Sequence, residues 1–248
     1  NKILGLNLKE SEVKTLLERM GYNYDKGIVE IPPYRADILH EIDVVEDIAI
    51  AYGYENFKEE IPNVSTVASE SEISKFKRKI SEILVGLKLL ECCTFSLSNK
   101  TNLNLKMNTK NELIEVESPV NSDYDTLRSR MLPSLLYILK ENKRYEYSQD
   151  LFEIGTVFTL SSSAETGIEE SQSLAIVKCE GNFTSIKQIL DVLLSSLNLE
   201  YEIEESEHES FIKGRVGNII INGKNIGLLG ELSPEVLKNW DLELSASA

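Results

Sequence analysis

The fold class is decided by the stretch Leu151-Phe152-Glu153-Ile154-Gly155-Thr156-Val157-Phe158-Thr159-Leu160. This run is rich in β-branched and aromatic residues, which favours a β-strand. Further strand-like runs occur at 92–97, 113–116, 174–178 and 215–221, and helical patterns at 133–145 and 185–197. Because the strands follow one another without a regular strand-helix alternation, the sequence predicts an α+β fold with a mainly antiparallel sheet.

Upstream of this region, residues 73–90 predict a long amphipathic helix. Its apolar stripe consists of Phe76, Ile80, Ile83, Leu84, Leu87 and Leu90. Such a stripe fits either a contact with another subunit or the domain's own core. The preceding residues are rich in Ser, Thr, Asn and Pro without apolar periodicity, which is typical of a linker. We therefore predict a module at 1–62, a linker at 63–72 and a core domain at 73–248.

The first sixty residues predict a compact module of helix, strand and helix. Apolar residues at helical spacing occupy 9–20 and end before Gly21, a residue suited to a helix C-terminus. An extended run at 27–31 is stopped by two prolines. A second helical pattern then continues through Tyr52 and ends at Gly53.

Composition excludes several classes of function. The 248 residues include 41 acidic and 26 basic side chains, a formal net charge of −15. A chain of this charge does not bind nucleic acid by bulk electrostatics, because that mode needs clustered Lys and Arg. No apolar run approaches the roughly 20 residues that span a bilayer. Three cysteines without metal-binding spacing indicate free thiols in a reducing compartment. The chain begins Asn1-Lys2 without an initiating Met, and we expect a segment of a longer protein.

Catalytic motifs are absent from the sequence, and we predict no catalytic residue. The two histidines, His40 and His208, lie far apart, and neither a GxxxxGK nor a GxGxxG loop follows a strand. One dense acidic cluster stands out, and it comprises Asp37, Glu41, Asp43, Glu46 and Asp47. Asp43, Glu46 and Asp47 stand at positions i, i+3 and i+4, so they share one face of a helix. Asp37 can join them only from the turn before the helix. Two interpretations stay open: a Mg²⁺ site and a solvated acidic face.

Two groups of basic side chains also allow two interpretations, a nucleic-acid contact and a solvated helix face. Lysines and arginine at 75–79, with Lys140, Lys143 and Arg144, could contact RNA phosphates as part of a free-standing nucleic-acid-binding adaptor. The alternative is a solvated helix face whose basic residues pair with Glu72, Glu82 and Glu141 at helical distances. Residues 200–209 are acidic, and in this segment Tyr201 and Ile203 alternate with glutamates as on an edge strand.

Four segments resemble, in order, the β subunit of phenylalanyl-tRNA synthetases of the archaeal and eukaryotic type. The first runs from Ile31-Pro32-Pro33-Tyr34-Arg35-Ala36-Asp37-Ile38 through Asp43-Val44-Val45-Glu46-Asp47 to Ala51-Tyr52-Gly53-Tyr54. The others are Ser118-Pro119-Val120-Asn121 with Thr126-Leu127-Arg128 and Met131-Leu132-Pro133, then 151–158, then 227–237. Together these segments cover nearly the whole chain.

The resemblance implies a fold and an activity. It implies a small winged-helix-like module followed by a class II synthetase-like antiparallel sheet flanked by helices. It also implies a cytoplasmic ligase that joins phenylalanine to its tRNA with ATP, assembled from two α and two β subunits, with the active site on α. The ATP-clamping pattern Gly-x-Gly-x-x-x-Arg is not met, because Glu231 and Leu232 follow Gly230 and no arginine follows Arg215. We therefore expect this chain alone to be inactive.

The resemblance further implies a Mg²⁺ site shared with the α subunit. Its ligand positions correspond to Asp37, Asp43, Glu46 and Asp47, with Glu41 as a neighbouring charge. Such a metal has a structural role, since it lies at a subunit contact and not at the transferred phosphate. The resemblance also leads us to expect that the chain ends at Ala248, shortly after Trp240-Asp241-Leu242, where the family adds a final strand. A self-sufficient metal enzyme remains a third hypothesis, distinguished by turnover of the chain alone with Mg²⁺.

Overall fold

The computed structural model describes residues 1–61, 63–64 and 68–248. These residues form two compact units, Asn1–Ala68 and Ser69–Ala248. The end of the predicted module, residue 62, and part of the predicted linker, 65–67, lie outside the described residues. The first helix of the second unit begins at Glu72, inside the predicted linker.

The small unit contains two helices and a hairpin. The elements are α1 (Glu10–Arg19), β1 (Asn23–Asp25), β2 (Ile28–Glu30) and α2 (Glu41–Tyr52), followed by a 3₁₀ turn at Tyr54–Asn56. Both helices were predicted, and each is followed by a glycine with positive φ, Gly21 at +88° and Gly53 at +92°. These values suit glycine, which has no Cβ to clash in the left-handed region. The buried apolar side chains are Leu16, Leu17, Tyr22, Ala49 and Ala51.

The large unit is built on a mostly antiparallel sheet. Its strands are β3 (Leu90–Glu91), β6 (Asp150–Leu160), β7 (Ile168–Cys179), β8 (Glu202–Glu205), β9 (Phe211–Ile221), β10 (Lys224–Leu232) and β11 (Ala246–Ser247), and a separate pair comprises β4 (Leu97–Ser98) and β5 (Thr126–Leu127). The strand order is β3-β6-β7-β11-β10-β9-β8. Only the β3–β6 pair in this sheet is parallel within the described residues. The predicted α+β class is confirmed, and the acidic segment at 200–209 supplies an edge strand as predicted.

The large unit contains five α-helices within the described residues. They are α3 (Glu72–Gly86), α4 (Lys100–Leu103), α5 (Leu132–Glu141), α6 (Phe183–Ser196) and α7 (Pro234–Asn239), with a 3₁₀ turn at Leu105–Met107. Successive strand residues point to opposite faces. Leu151 therefore packs in one apolar cluster with residues of α5 and α7, and Phe152 packs in the other with residues of α3 and α6.

Three predictions in the N-terminal part of the large unit are wrong in detail. The helix ends at Gly86 and not at Leu90, because Lys88 takes a positive φ of +69° and the chain then turns into β3. Leu90 consequently leaves the predicted stripe and is exposed. The predicted strand at 92–97 is replaced by the short strands β3 and β4, and the predicted strand at 113–116 contributes only a single bridge, Glu115 to Thr126.

A short strand that the sequence did not predict follows Trp240. Strand β11 lies between β7 and β10, where Ala246 pairs with Cys179 and Ser247 pairs with Glu231. Both β11 residues are buried. A segment of small residues was difficult to recognise as a strand, since its place depends on pairing with distant strands. Among the described residues, no helix has the length and apolar character needed to cross a membrane.

Candidate functional site

Arg35 lies at the centre of the acidic cluster in the small unit. The turn after Pro33 positions it, with the Arg35 N–H donating to the carbonyl oxygen of Pro32 (3.0 Å). The guanidinium Nη1 donates to Asp47 Oδ2 (2.6 Å), while Nη2 and Nε donate to Asp37 Oδ2 (2.8 Å) and Oδ1 (3.0 Å). The planar fork of arginine suits such a contact with two carboxylates. The hydrogen bonds to Asp37 and then Asp47 raise the pKa of Arg35.

Asp47 is the buried member of the cluster. It lies on α2, and its Oδ2 also accepts a hydrogen bond from the Tyr22 hydroxyl. The Arg35 guanidinium stands 5.5 Å from the centroid of the Tyr22 ring. Burial, followed by the hydrogen bond to Asp47, raises the pKa of Tyr22 to about 12. Asp47 is therefore held by one cation and one hydroxyl, which satisfy a buried carboxylate.

Asp43 has a different role at the start of α2. The backbone N–H groups of Leu39 and His40 both donate to Asp43 Oδ2 at 2.9 Å. These bonds lower the pKa of Asp43. The His40 ring meanwhile accepts from the Ile42 N–H through Nδ1 (3.2 Å). Asp43 and His40 thus satisfy N–H groups at the helix N-terminus, as in a capping box.

Glu46 lies in another environment. It borders a groove of about 380 Å³ in the small unit, whose other lining residues are the apolar or aromatic side chains of Ile3, Leu4, Ile42, Val45, Ala49, Tyr54 and Phe57. Glu41 is exposed in the first turn of α2. The predicted shared face of the cluster therefore does not bring its carboxylates to one point.

This arrangement does not fit a metal ion. Within the part of the chain that the structure describes, no three His, Cys, Asp or Glu side chains form a group that could hold one. Mg²⁺ requires free oxygen ligands in near-octahedral geometry. Here Arg35 binds Asp37 and Asp47, and backbone N–H groups bind Asp43. The magnesium assignment to Asp37, Asp43, Glu46 and Asp47 stays a prediction.

A second charged network lies inside the large unit. Arg128 Nη1 donates to Glu153 Oε1 (2.7 Å), and both side chains are buried. Thr94 contributes its N–H to Glu153 Oε1 (3.1 Å) and its hydroxyl to Glu153 Oε2 (2.7 Å). Arg128 Nε also donates to the carbonyl oxygen of Thr156 (2.8 Å). A Cβ at Gly155 would collide with the Arg128 guanidinium, so glycine is required for this close approach.

The large unit also has an open cleft of about 1010 Å³. It lies beside β4, α4 and the N-terminal half of α5. Its most exposed aromatic ring, Phe95, stands edge-to-face with Tyr124, their centroids 5.6 Å apart. Its lining includes two basic residues, Lys100 and Lys106, and two acidic residues, Asp123 and Asp125. Such a mixed lining does not indicate a nucleic-acid groove.

Two of the four basic residues of α3 form ion pairs. Lys75 Nζ lies 2.7 Å from Glu72, and Arg78 contacts both Glu70 (3.1 Å) and Glu82 (3.2 Å). The pairing with Glu72 and Glu82 agrees with the solvated-face interpretation. These local carboxylates reduce the positive charge available to RNA phosphates, which weakens the adaptor hypothesis.

The end of β10 carries a carboxylate beside Gly230. Glu231 Oε2 accepts from Arg215 Nη1 (2.6 Å), and Glu231 Oε1 accepts from the Phe183 N–H (2.9 Å). Arg215 is thus already paired with an acidic side chain. This geometry does not provide the free arginine that a triphosphate clamp needs.

Sequence reasoning missed Arg35, Tyr22, Arg128 and Glu153 as members of these networks. A signal was present for Arg35, since it stands two residues before Asp37 and close to an excess of carboxylates. Arg128 and Glu153 are ionisable residues within apolar segments, which indicates a buried pair. Tyr22 had no comparable signal, because its contact with Asp47 spans 25 residues.

Family models match nearly the whole chain. Residues 1–54 match the tRNA synthetase B5 domain, and residues 58–248 match the Phenylalanyl tRNA synthetase beta chain CLM domain. The second match alone covers most of the chain. The limits of the two matches lie in the same region as the division between the two compact units.

Curated relatives agree with these matches. The chain is 41% identical over 254 residues to a phenylalanine-tRNA ligase beta subunit of Pyrococcus abyssi and 38% identical over 259 residues to one of Methanocella arvoryzae. Both alignments cover 100% of this chain but only 46% and 47% of the relative. The chain therefore spans about half the length of the curated relatives it matches. Together the two family models and these relatives show that the chain belongs to the phenylalanyl-tRNA synthetase beta chain family.

Proposed function

We propose that this chain is the scaffold part of a phenylalanine-tRNA ligase β subunit, in an assembly that attaches phenylalanine to its tRNA with ATP. The observation that carries the proposal is the alignment along the entire chain with proteins named phenylalanine-tRNA ligase beta subunit. The agreement extends along both units and is not confined to one module.

The two units have distinct structural roles in this proposal. The small unit is a winged-helix-like module, supported by its helices and the β1–β2 hairpin. The large unit is a class II synthetase-like core, supported by its seven-stranded, mostly antiparallel sheet and the helices on both faces. The division into 1–62, 63–72 and 73–248 remains part of the proposal.

Catalysis belongs to the α subunit in this proposal. ATP and phenylalanine bind to that partner, and this chain supplies support and a contact surface. The Arg215–Glu231 pair supports the division, because the carboxylate occupies the position after Gly230 and engages the neighbouring arginine. A magnesium ion at the four predicted carboxylates is kept as a prediction, and no chemical step depends on it.

The proposed contact with the α subunit lies on α3. This helix buries Ile80 and Leu84 in the core but leaves Ile73 and Phe76, three residues apart, about half exposed. Part of the predicted stripe thus serves the core, and other apolar side chains remain available to a partner. Exposed apolar side chains grouped on one element favour a protein contact over a solvated face. The β-subunit name of the relatives makes the α subunit the occupant.

The complete assembly in the proposal contains two α and two β subunits and binds tRNA in the cytoplasm. The three cysteines are free in the structure, which agrees with a reducing compartment. The net charge of −15 is compatible with tRNA contacts made chiefly by other parts of the assembly.

A pyrophosphate-exchange assay tests the division of labour. The 248-residue chain, with ATP, Mg²⁺ and phenylalanine, is expected to give no phenylalanine-dependent exchange, whereas an intact α/β ligase gives exchange under the same conditions. Exchange by the chain alone, retained through purification to constant specific activity, would contradict the proposal and favour the metal-enzyme hypothesis.

A further inference from the structure

We propose that the cleft of the large unit binds the cationic side chain of an arginine presented by another polypeptide. This is the cleft of about 1010 Å³ beside β4, α4 and the N-terminal half of α5. Its aromatic rings and its charges both favour a cation, independently of the proposed ligase function.

Three partly exposed aromatic rings border the cleft. Phe95 is 73% exposed, Tyr137 45% and Tyr124 37%. They come from separate parts of the chain, since Phe95 precedes β4, Tyr124 precedes β5 and Tyr137 lies on α5. Exposed apolar side chains are usually scattered singly, so a group of rings on one concave surface indicates a binding site. The face of an aromatic ring carries negative charge density and attracts a cation.

The two lysines of the lining already have partners of their own. Lys100 Nζ lies 2.7 Å from a carboxylate oxygen of Glu115. Lys106 Nζ lies 4.3 Å from the centroid of the buried Trp240 ring, which attracts the ammonium group. Glu115 therefore balances the charge of Lys100, and Lys106 makes its own contact with an aromatic face.

The two aspartates of the lining remain available to a ligand. Among the described residues, no basic side chain forms an ion pair with Asp123 or Asp125. The backbone of Asp123 is nevertheless held in place. Its N–H donates to Asn121 Oδ1 (2.9 Å), and its carbonyl oxygen accepts from Asn99 Nδ2 (3.3 Å). A carboxylate on a fixed backbone can therefore face a cation in the cleft.

Negative charge prevails at the cleft. The two lysines and two aspartates of the lining, taken with Glu115, carry two positive and three negative charges, a net charge of −1. The Glu141 carboxylate, followed by partial burial, Tyr124 and Asp123, raises the pKa of Tyr137. Such surroundings attract a cation and repel a phosphate group.

An arginine side chain combines the two properties that the cleft favours. Its planar guanidinium stacks on aromatic rings, and its N–H groups donate to carboxylates. A neutral side chain lacks the charge, and the ammonium of lysine lacks the planar group. The cleft is of a size that accommodates more than one side chain, so we expect the arginine to be carried by a peptide segment.

A titration with two matched peptides tests the proposal. The 248-residue chain is mixed with acetyl-Gly-Arg-Gly-amide or with the neutral acetyl-Gly-Gln-Gly-amide, and the aromatic carbon resonances of Phe95, Tyr124 and Tyr137 report binding. We expect the arginine peptide to shift all three resonances and to bind at least about threefold more tightly than the neutral peptide. Equal affinities, or no shift at millimolar peptide concentration, would overturn the proposal.

Two substitutions place the binding in the cleft. Phe95→Leu removes the most exposed ring of the lining, and Asp123→Asn removes one carboxylate. Each is expected to weaken binding of the arginine peptide about threefold or more. Tyr34→Leu and Asp25→Asn are the matched controls in the small unit, because Tyr34 is also 73% exposed and Asp25 is exposed. Both controls are expected to bind the peptide as wild type does.

The fold and the sign of the ligand's charge are checked in the same experiment. Phe95 and Asp123 are exposed, so both variants should keep the fold, which circular dichroism measures. If Phe95→Leu does not fold, Asp123→Asn decides. Folded cleft variants that bind the arginine peptide as tightly as wild type overturn the proposal. Tighter binding of uridine monophosphate than of the arginine peptide also overturns it, because the cleft would then favour an anion.

Discussion

Two arginines each hold carboxylates in this molecule, in opposite surroundings. Arg128 and Glu153 form a buried pair of one positive and one negative charge, and Thr94 satisfies both partners. Arg35 instead faces several carboxylates, and one of its partners, Asp37, is largely exposed.

The difference separates a buried pair of balanced charge from a partly exposed one. A buried and balanced pair strongly disfavours removal of either partner, because the remaining charge would be left without compensation. A partly exposed pair contributes less to stability, because water and salt screen its charges. Arg128 therefore links distant segments of the large unit, while Arg35 connects the turn before α2 to Asp47 on that helix.

Breaking the buried pair gives the largest expected effect. Arg128→Met is expected to lower the free energy of unfolding by about 3–5 kcal/mol, because Glu153 remains buried without its cation. Urea denaturation measures this change. Arg78→Met is the control, as it breaks exposed ion pairs and is expected to cost no more than about 1 kcal/mol. Equal losses in the two variants would contradict the distinction.

The contribution of the Tyr22–Asp47 hydrogen bond to stability can be tested by substituting Tyr22. Tyr22→Phe removes the hydroxyl that donates to Asp47 and is expected to destabilise the small unit by about 1.5–3 kcal/mol. Hydrogen exchange of the α2 amides, read by mass spectrometry, locates the effect. Tyr34→Phe, on a largely exposed ring, should change stability by less than about 0.5 kcal/mol. Unchanged α2 protection in Tyr22→Phe would show that this hydrogen bond adds little.

Crowding the buried pair gives a somewhat smaller effect. Gly155→Ala is expected to destabilise the large unit by about 1–3 kcal/mol, because the new methyl group displaces the Arg128 guanidinium. Gly86→Ala is the matched control, since a Cβ there meets no atom within 4 Å. The same urea titration compares the two variants. A neutral Gly155→Ala would mean that the pair tolerates displacement.

Acid should affect the exposed cluster through its carboxylates. Hydrogen bonds to Arg35 lower the pKa of Asp37, and backbone N–H groups lower the pKa of Asp43. Their stabilising contribution is present above the unfolded value of about 3.9 and is lost as the pH falls through the lower folded values. Carboxyl-carbon resonances, assigned with Asp37→Asn and Asp43→Asn, should titrate below about 3.9. Midpoints at or above that value would contradict these contacts.

The sequence was sufficient to predict elements with strong local patterns. The helices at 9–20 and 185–197 and the strand at 151–160 required only apolar periodicity and suitable end residues. Strand β11 and the division of 92–97 into β3 and β4 depended on pairing with distant segments, which local composition does not encode. The sequence singled out the carboxylates at 37–47 by their density, but the partners of Asp37 and Asp47 are set by tertiary contacts with Arg35 and Tyr22.

The proposed support of a catalytic α subunit by this chain can be tested by measuring the mass of a mixture of the two proteins. Light scattering of the 28.0 kDa chain mixed with purified α subunit should show a species heavier than either component. Replacing the exposed Ile73 and Phe76 by serine should weaken that species while leaving the fold of the chain intact. Two separate species at every concentration tested, with both proteins folded, would show that this chain does not associate with the α subunit as proposed.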